Sequence, residues 1–389
     1  MVDDDGPVMP SVDYENEPPA EVNAAYAAAI GPIEERGSAI MPGAAHLARQ
    51  MFWFERCWPE VFARARSMLG APQYWAWRLC GVAATEFTYL GAQSHLWAIP
   101  RRRYALVVER HGWHDKLPPI QPAWKALGRL KPELARRHDL PPDIEILCGI
   151  HDSSANFYRY QQAGLHSLAV ISTGTWIVGM SDAFDAEALA ATSGMTWNAD
   201  VYGRPLTGML AMGGREFAAI AGDGPERAVE ARDIGYVIES GAMALPSFVK
   251  DDGPFRGSAG RGRIAGARPE SPDEKRALAL LYVALLTDVC LDRMGDRYTT
   301  VLDGSFVTDP LYASLVAALR PGKSIFVSTD AYGTAAGAAL LADHERRRGP
   351  VDVGLGTPTP VHLPRLDLYR KQWRELAANP KSASMEIPA

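Results

Sequence analysis

Apolar positions along this chain keep two different rhythms, and the change from one to the other comes near residue 166. Before it, helical spacing predicts helices over Pro18–Ile30, Ala44–Phe54, Pro59–Ser67 and Pro72–Arg78. Several of these open on or near proline, whose missing N–H does least harm in a first helical turn. Pro118-Pro119 and Pro141-Pro142 punctuate the stretch that follows, with a short helix predicted over Pro132–Arg137 and a strand over Ile144–Leu147. After residue 166, strands, helices and glycine turns alternate. Leu168–Ser172, Thr299–Leu302 and Ser324–Val327 read as strands, and Pro272–Met294, Pro310–Leu319 and Thr334–Arg346 as helices. In Pro272–Met294 the spacing of Leu278, Leu281, Tyr282, Leu285 and Val289 marks one buried face. Lys250–Pro272, rich in glycine and arginine, reads as an exposed loop, and the proline-rich stretch from Pro350 onward as a partly ordered tail.

Composition narrows the class of protein. At 389 residues the chain exceeds what one core usually organises, so two domains are expected. Hydrophobic residues at 47% and charged residues at 22% are ordinary for a globular protein and argue against long disorder. A net charge of −6 offers no basic surface, so nucleic acid is a poor partner. Cys57, Cys80, Cys148 and Cys290 are scattered, without a Cys-x-x-Cys pair, so reduced and mostly buried thiols of a cytoplasmic protein are expected. Acidic residues rather than a basic and apolar run follow Met1, which gives no secretory signal. The apolar stretch Ala277–Leu291 contains Thr287 and Asp288 and is too short to span a bilayer, so no membrane partner is expected.

Two turns carry the candidate chemistry. Ile144, Ile146 and Leu147 lead into Cys148-Gly149-Ile150-His151-Asp152-Ser153-Ser154, and Leu168, Val170 and Ile171 lead into Ser172-Thr173-Gly174-Thr175-Trp176. Each turn reads as the end of a buried strand. Moving a phosphoryl group to an alcohol requires positioning, charge neutralisation and a carboxylate to take the hydroxyl proton. Asp152 suits the last role. Thr173-Gly174-Thr175 suits the other side, since glycine lets backbone approach an anion and hydroxyls and amides donate to phosphate oxygens. Taken alone, each turn is equally an ordinary local hydrogen-bonding device.

In wording and spacing the pair resembles the segment of the FGGY carbohydrate kinases that carries the catalytic aspartate and the second phosphate-binding turn. His151 before Asp152 and Trp176 after Thr175 are closest to rhamnulokinase-like and fuculokinase-like members. The resemblance extends to Pro72-Gln73-Tyr74-Trp75-Ala76-Trp77-Arg78-Leu79 with the Gly81 turn. Downstream it includes Met212-Gly213-Gly214-Arg215-Glu216-Phe217, Asp303-Gly304-Ser305-Phe306 and Gly333-Thr334-Ala335-Ala336-Gly337, in the family's order. Family members open on an Asp-x-Gly-Thr phosphate loop, and nothing like it precedes these motifs. The expectation is an amino-terminal domain that is incomplete.

The resemblance implies an α/β, two-domain actin-like/ribonuclease-H-like fold. Residues 1–166 would form a partial sugar-binding domain and residues 167–389 the ATP-binding domain. The implied reaction is ATP-dependent phosphorylation of a ketose or deoxyketose, with Mg2+ bridging nucleotide oxygens and Asp152 accepting the hydroxyl proton. His151, Ser153, Gln93 and Trp97 would contact sugar. Ser172, Thr173, Gly174, Thr175, Gly213, Gly214, Gly304 and Ser305 would hold nucleotide. Asp303 stands where the family usually has the first of two glycines, which alters the approach there. Trp75, Trp77 and Trp97 favour core positions over sugar stacking, and Arg101-Arg102-Arg103 reads as a solvated face. Sugar and ATP are the expected partners, with a homodimer as the assembly. A catalytically impaired nucleotide- or sugar-binding relative and an actin-like assembly module stay open as alternatives.

Overall fold

Where the apolar rhythm divides the chain once, the computed structural model, which describes residues 1–191, 194–224, 227–295 and 299–378, passes repeatedly between two compact units. Unit 1 comprises Met1–Gly164, Thr196–Leu206 and Tyr332–Val351; unit 2 comprises Leu165–Met195, Thr207–Ala331 and Asp352–Ala389. The first boundary lies beside the expected one, but two later segments assigned by sequence to the second domain belong to unit 1. The chain is an α/β protein of two units, as expected.

Unit 1 is mostly helical, with Ala20–Ala29, Leu47–Cys57, Ala71–Cys80, Phe87–Gly91 and Asp152–Gln162 among its helices. Its strands are short: β1 (Trp97–Ala98) pairs with β2 (Arg103–Tyr104), and β3 (Ala126–Arg129) with β4 (Glu145–Leu147), both antiparallel. Contrary to expectation, β4 is not a buried strand. Glu145 is exposed and Ile146 and Leu147 are half-buried, because β4 lies in a two-stranded ribbon rather than inside a sheet. The Asp152–Gln162 helix instead finds its core through Ala155 and Tyr158, which pack with Ala123, Ile150, Val201 and Leu341. His344, from the returning segment, stacks on Trp124 at 3.9 Å, and its Nδ1 lies 2.5 Å from the Tyr158 hydroxyl.

Unit 1 holds a second polar knot. His95 is buried with Nδ1 2.8 Å from the Tyr26 hydroxyl and Nε2 2.8 Å from that of Ser38, and the His46 ring stacks on it at 3.6 Å. Burial lowers the pKa of both imidazoles, that of His46 to about 3. The arginine run is exposed at Arg101 and Arg102 and half-buried at Arg103, as expected of a solvated face, yet its charges are engaged. Arg101 and Arg103 both pair with the buried Glu35, while Arg102 donates to the carbonyls of Tyr202 and Gly203.

Unit 2 carries most of a six-stranded mixed sheet of order β12-β11-β5-β6-β8-β7, built from β5 (Leu168–Thr173), β6 (Ile177–Ser181), β7 (Met195–Ala199), β8 (Pro205–Ala211), β11 (Thr299–Gly304) and β12 (Ile325–Val327). β5 and β12 run parallel to β11, and β6 is antiparallel to β5 and β8. A separate ribbon pairs β9 (Met243–Leu245) with β10 (Arg263–Ala265), so the expected loop over Lys250–Pro272 contains a strand and a buried Ser258.

The Pro272–Arg293 helix starts where Ser271 accepts the Glu274 N–H at 3.2 Å and Pro272 occupies the first turn. It buries every residue from Ala277 to Leu291 rather than one face, since apolar residues fill all sides of its middle turns. The expected loose tail also forms a helix, Leu366–Ala378, on a stripe of Leu366, Tyr369, Trp373 and Ala377. Tyr369 and Trp373 each donate at 2.6 Å, to the carbonyls of Ala242 and Ala244. Arg370 and Arg374 from that helix, with Arg320, surround the fully buried Asp288. The remainder of the tail, 379–389, lies outside the described residues. Among the described residues no helix is long and apolar enough to cross a membrane. Cys148 and Cys290 are buried, but Cys57 is exposed and Cys80 half-buried.

Candidate functional site

In unit 1 the His151-Asp152-Ser153 segment is a helix start rather than an isolated turn. His151 takes the extended N-cap conformation and Asp152 is the first helical residue, where the positive end of the helix dipole favours a carboxylate. The Asp152 side chain is 75% exposed. Its Oδ1 accepts the Ser153 N–H at 2.5 Å and lies 3.3 Å from His151 Nε2. Burial lowers the His151 pKa while the Asp152 charge opposes that shift, so the ring is neutral at pH 7 and can meet a hydroxyl as donor or acceptor. The edge of Tyr89 packs against the His151 ring at 5.9 Å.

Behind this pair is a carboxylate that the apolar pattern does not reveal. Glu86, 1% exposed, caps the Phe87–Gly91 helix by accepting the N–H of Thr88 at 2.6 Å and of Tyr89 at 2.7 Å. The Thr88 hydroxyl donates to Glu86 at 2.6 Å and accepts the His151 N–H at 3.0 Å. Burial pushes the Glu86 pKa up to about 7, against the amides of Thr88, Tyr89 and His151, which favour its ionised form. Gln73 approaches the same segment by donating to the Cys148 carbonyl at 3.2 Å.

Gln93 and Trp97 also belong to unit 1. Gln93 has φ +52 and donates to Asn198 Oδ1 at 2.6 Å. Trp97 is 5% exposed, with the rings of Phe87 at 5.7 Å and Tyr104 at 5.4 Å. Trp97 is therefore a core side chain with no face open for stacking. Trp75 reverses the expectation in the other direction, being 64% exposed.

In unit 2 the structure draws three separate turns together. The β5–β11 register sets Thr173 opposite Gly304. Thr173 Oγ1 donates to the Asp303 carbonyl at 2.7 Å and accepts the Phe306 N–H at 3.0 Å. Gly304 sits at φ +91, and a Cβ there would overlap the Thr173 carbonyl oxygen. From the third turn, the Gly214 N–H donates to the Thr175 carbonyl at 3.1 Å, and a Cβ on Gly214 would overlap the Gly174 carbonyl oxygen. Glu216, buried in the same helix, Gly213–Ala221, accepts the N–H groups of Phe248 and Val249 and the Tyr282 hydroxyl, which pins that helix start. The Thr173 hydroxyl is thus committed to the scaffold. Thr175 and Ser305 are exposed, and the space over the Gly174 α-carbon is open. That opening, two exposed hydroxyls and a helix N-terminus suit an anionic phosphate. Among the described residues no group of three or more His, Cys, Asp or Glu could hold a metal ion.

Comparison with known proteins separates this arrangement from a chance meeting of turns. Residues 165–349 match the model of the carbohydrate kinase FGGY C-terminal domain. A carbohydrate kinase from Novosphingobium aromaticivorans is 31% identical and similar in structure with a TM-score of 0.83, the match covering 95% of this chain and 82% of that one. The chain belongs to the FGGY carbohydrate kinases. A xylulose kinase from Rhodospirillum rubrum (18% identity, TM-score 0.75, 97% of this chain and 81% of that one) shares the FGGY fold. So does a gluconate kinase from Lactobacillus acidophilus (15%, 0.73, 93% and 78%). Among curated proteins none matches. The family model covers the Thr173, Gly214 and Gly304 turns, and the structural match extends over 95% of the chain.

Proposed function

We propose that this FGGY kinase transfers the γ-phosphoryl group of ATP to a hydroxyl of a ketose or deoxyketose. Asp152 accepts the hydroxyl proton as the oxygen attacks phosphorus, while the P–O bond to ADP breaks and the electron pair leaves with ADP. His151 and Ser153 hydrogen-bond sugar hydroxyls beside it, and Gln93 contributes a more distant polar contact. Gly174, Thr175, Gly213, Gly214 and Ser305 hold the phosphates through amides and hydroxyls, with Ser172, Thr173 and Gly304 shaping the backbone under them. Magnesium would arrive on the nucleotide oxygens and offset their charge.

The observation that supports this reading above others is Asp152 itself. It is a carboxylate at a helix start with its side chain exposed, engaged only by its neighbour's amide and the adjacent imidazole among the described residues. A structural aspartate would be expected to spend both oxygens on the fold. The ketose class draws on His151 beside Asp152, a pairing that resembles rhamnulokinase-like sequences.

A coupled ADP-release assay over a panel of ketoses, aldoses and polyols, with ATP binding followed by calorimetry, tests the proposal. ATP-dependent turnover confined to ketoses is the expected result. Binding of ATP and sugar without turnover would instead mark a non-catalytic relative. Indifference to sugars, with ATP-dependent sedimentation, would mark an assembly module.

A further inference from the structure

Asp152 points outward from unit 1, so its direction depends on what fixes the His151 N-cap. Few groups do so. The His151 N–H precedes the helix and has no partner within it. It donates to Thr88 Oγ1 at 3.0 Å, across 63 positions of sequence. A threonine hydroxyl rotates freely and can offer either its proton or a lone pair. Here the choice is made by Glu86, whose Oε1 takes the hydroxyl proton at 2.6 Å and leaves the lone pair for His151. Glu86 is itself immobilised by the amides of Thr88 and Tyr89 and by burial. The ring of Tyr89, from the same short helix, meets the His151 imidazole edge-on.

We propose that Glu86, acting through the Thr88 hydroxyl, is a positioning residue that fixes the His151–Asp152 helix start in the orientation needed for proton acceptance. The inference rests on the role given above to Asp152 and adds the group that aims it. A buried carboxylate is well suited to the task. In its ionised form it is a pure acceptor and cannot reverse the direction of the Thr88 hydrogen bond, whereas a neutral amide in its place would turn donors toward the Thr88 or Tyr89 N–H. Its titration near neutrality is consistent with a group held by the fold at the cost of its own ionisation.

The test uses the whole chain with Thr88→Val, which keeps shape and removes the hydroxyl, and Thr88→Ser, which restores it. One readout is amide hydrogen exchange at His151 by NMR. The other is kcat and the KM for ATP in the sugar-panel assay. In Thr88→Val the His151 amide should exchange at least about tenfold faster. Its kcat should fall about tenfold, with the KM for ATP within about twofold of wild type. Thr88→Ser should recover both. Unchanged exchange at His151 in Thr88→Val overturns the proposal, as does altered exchange with unaltered kcat. A wild-type protein that transfers no phosphate to any sugar overturns the kinase reading instead, and the exchange measurement then still decides whether Thr88 holds His151.

Discussion

Asp152 in unit 1 and the Thr173–Thr175 turn in unit 2 are both fixed in place, by opposite means. Asp152 is exposed at the end of a chain of polar side chains: Glu86 holds Thr88, Thr88 holds the His151 amide, and His151 opens the helix. Thr173–Thr175 is fixed by backbone, through the β5–β11 register and two glycines that admit carbonyl oxygens where a Cβ would stand. A group placed by side-chain hydrogen bonds can be re-aimed or titrated without unfolding its surroundings. A group placed by close backbone contact fails together with the fold around it.

Asp152→Asn gives the sharpest separation of the two regions. It keeps shape and removes the proton acceptor, so turnover should fall by about 10²- to 10⁴-fold. Calorimetric ATP affinity should stay within about twofold, because the proposed phosphate contacts are all in unit 2. A parallel loss of ATP affinity would break the assignment of separate tasks, and undiminished turnover would remove Asp152 from the reaction.

Gly304→Ala approaches from the other side. Positive φ at a non-glycine residue costs about 1–3 kcal/mol, and the added methyl overlaps the Thr173 carbonyl, so the two strand ends must part. Urea unfolding should show a loss of at least that size, and ATP binding should be weakened or abolished. His151 amide exchange should be unchanged. If ATP affinity survives while stability drops, the turn does not hold phosphate.

How far the sequence discloses these regions depends on what sets each one. Pro132–Arg137 and Pro310–Leu319 are read correctly to the residue, since proline starts and local periodicity fix both. The Leu366–Ala378 helix is missed because prolines ahead of it mask an apolar stripe at helical spacing that was present all along. Glu86 is harder. Glutamate is outside the usual N-cap set, and the segment it supports through Thr88 begins 63 positions further on, at His151. Thr173 and Thr175 look alike in sequence, and only the register with β11 makes one a structural hydroxyl and the other an exposed one. The crossings of the chain between units likewise depend on tertiary packing and leave no compositional mark.

A smaller effect follows from the titratable group behind Asp152. The folded-state pKa of Glu86 is raised to about 7 by burial, so ionising it opposes folding. The folded protein therefore binds more protons at this site than the unfolded chain between about pH 4.5 and pH 7. Its contribution to stability is fully present below that window and is lost as pH rises through it. Glu86→Gln removes the titration, so the difference in unfolding free energy between wild type and variant should shift against wild type as pH rises. The shift should reach up to about 1.4 kcal/mol per pH unit. Urea unfolding of both proteins at pH 5, 6 and 7 measures it. Parallel curves would mean that Glu86 does not change charge there and that its hold on Thr88 is insensitive to pH.

Thr175→Ala is the mildest change and bears on the contrast between the two threonines. The Thr173 hydroxyl is spent on the Asp303 carbonyl and the Phe306 amide, while Thr175 is exposed and makes no side-chain hydrogen bond among the described residues. Removing the Thr175 hydroxyl should leave stability within about 0.5 kcal/mol of wild type. If that hydroxyl donates to a phosphate, ATP affinity should fall about 2- to 12-fold, the worth of one hydrogen bond of about 0.5–1.5 kcal/mol. Calorimetric titration with ATP against a thermal melt distinguishes the outcomes. A variant that binds ATP as wild type does would place the phosphates on the backbone amides alone, and the glycines of this turn, rather than its hydroxyls, would then carry the recognition.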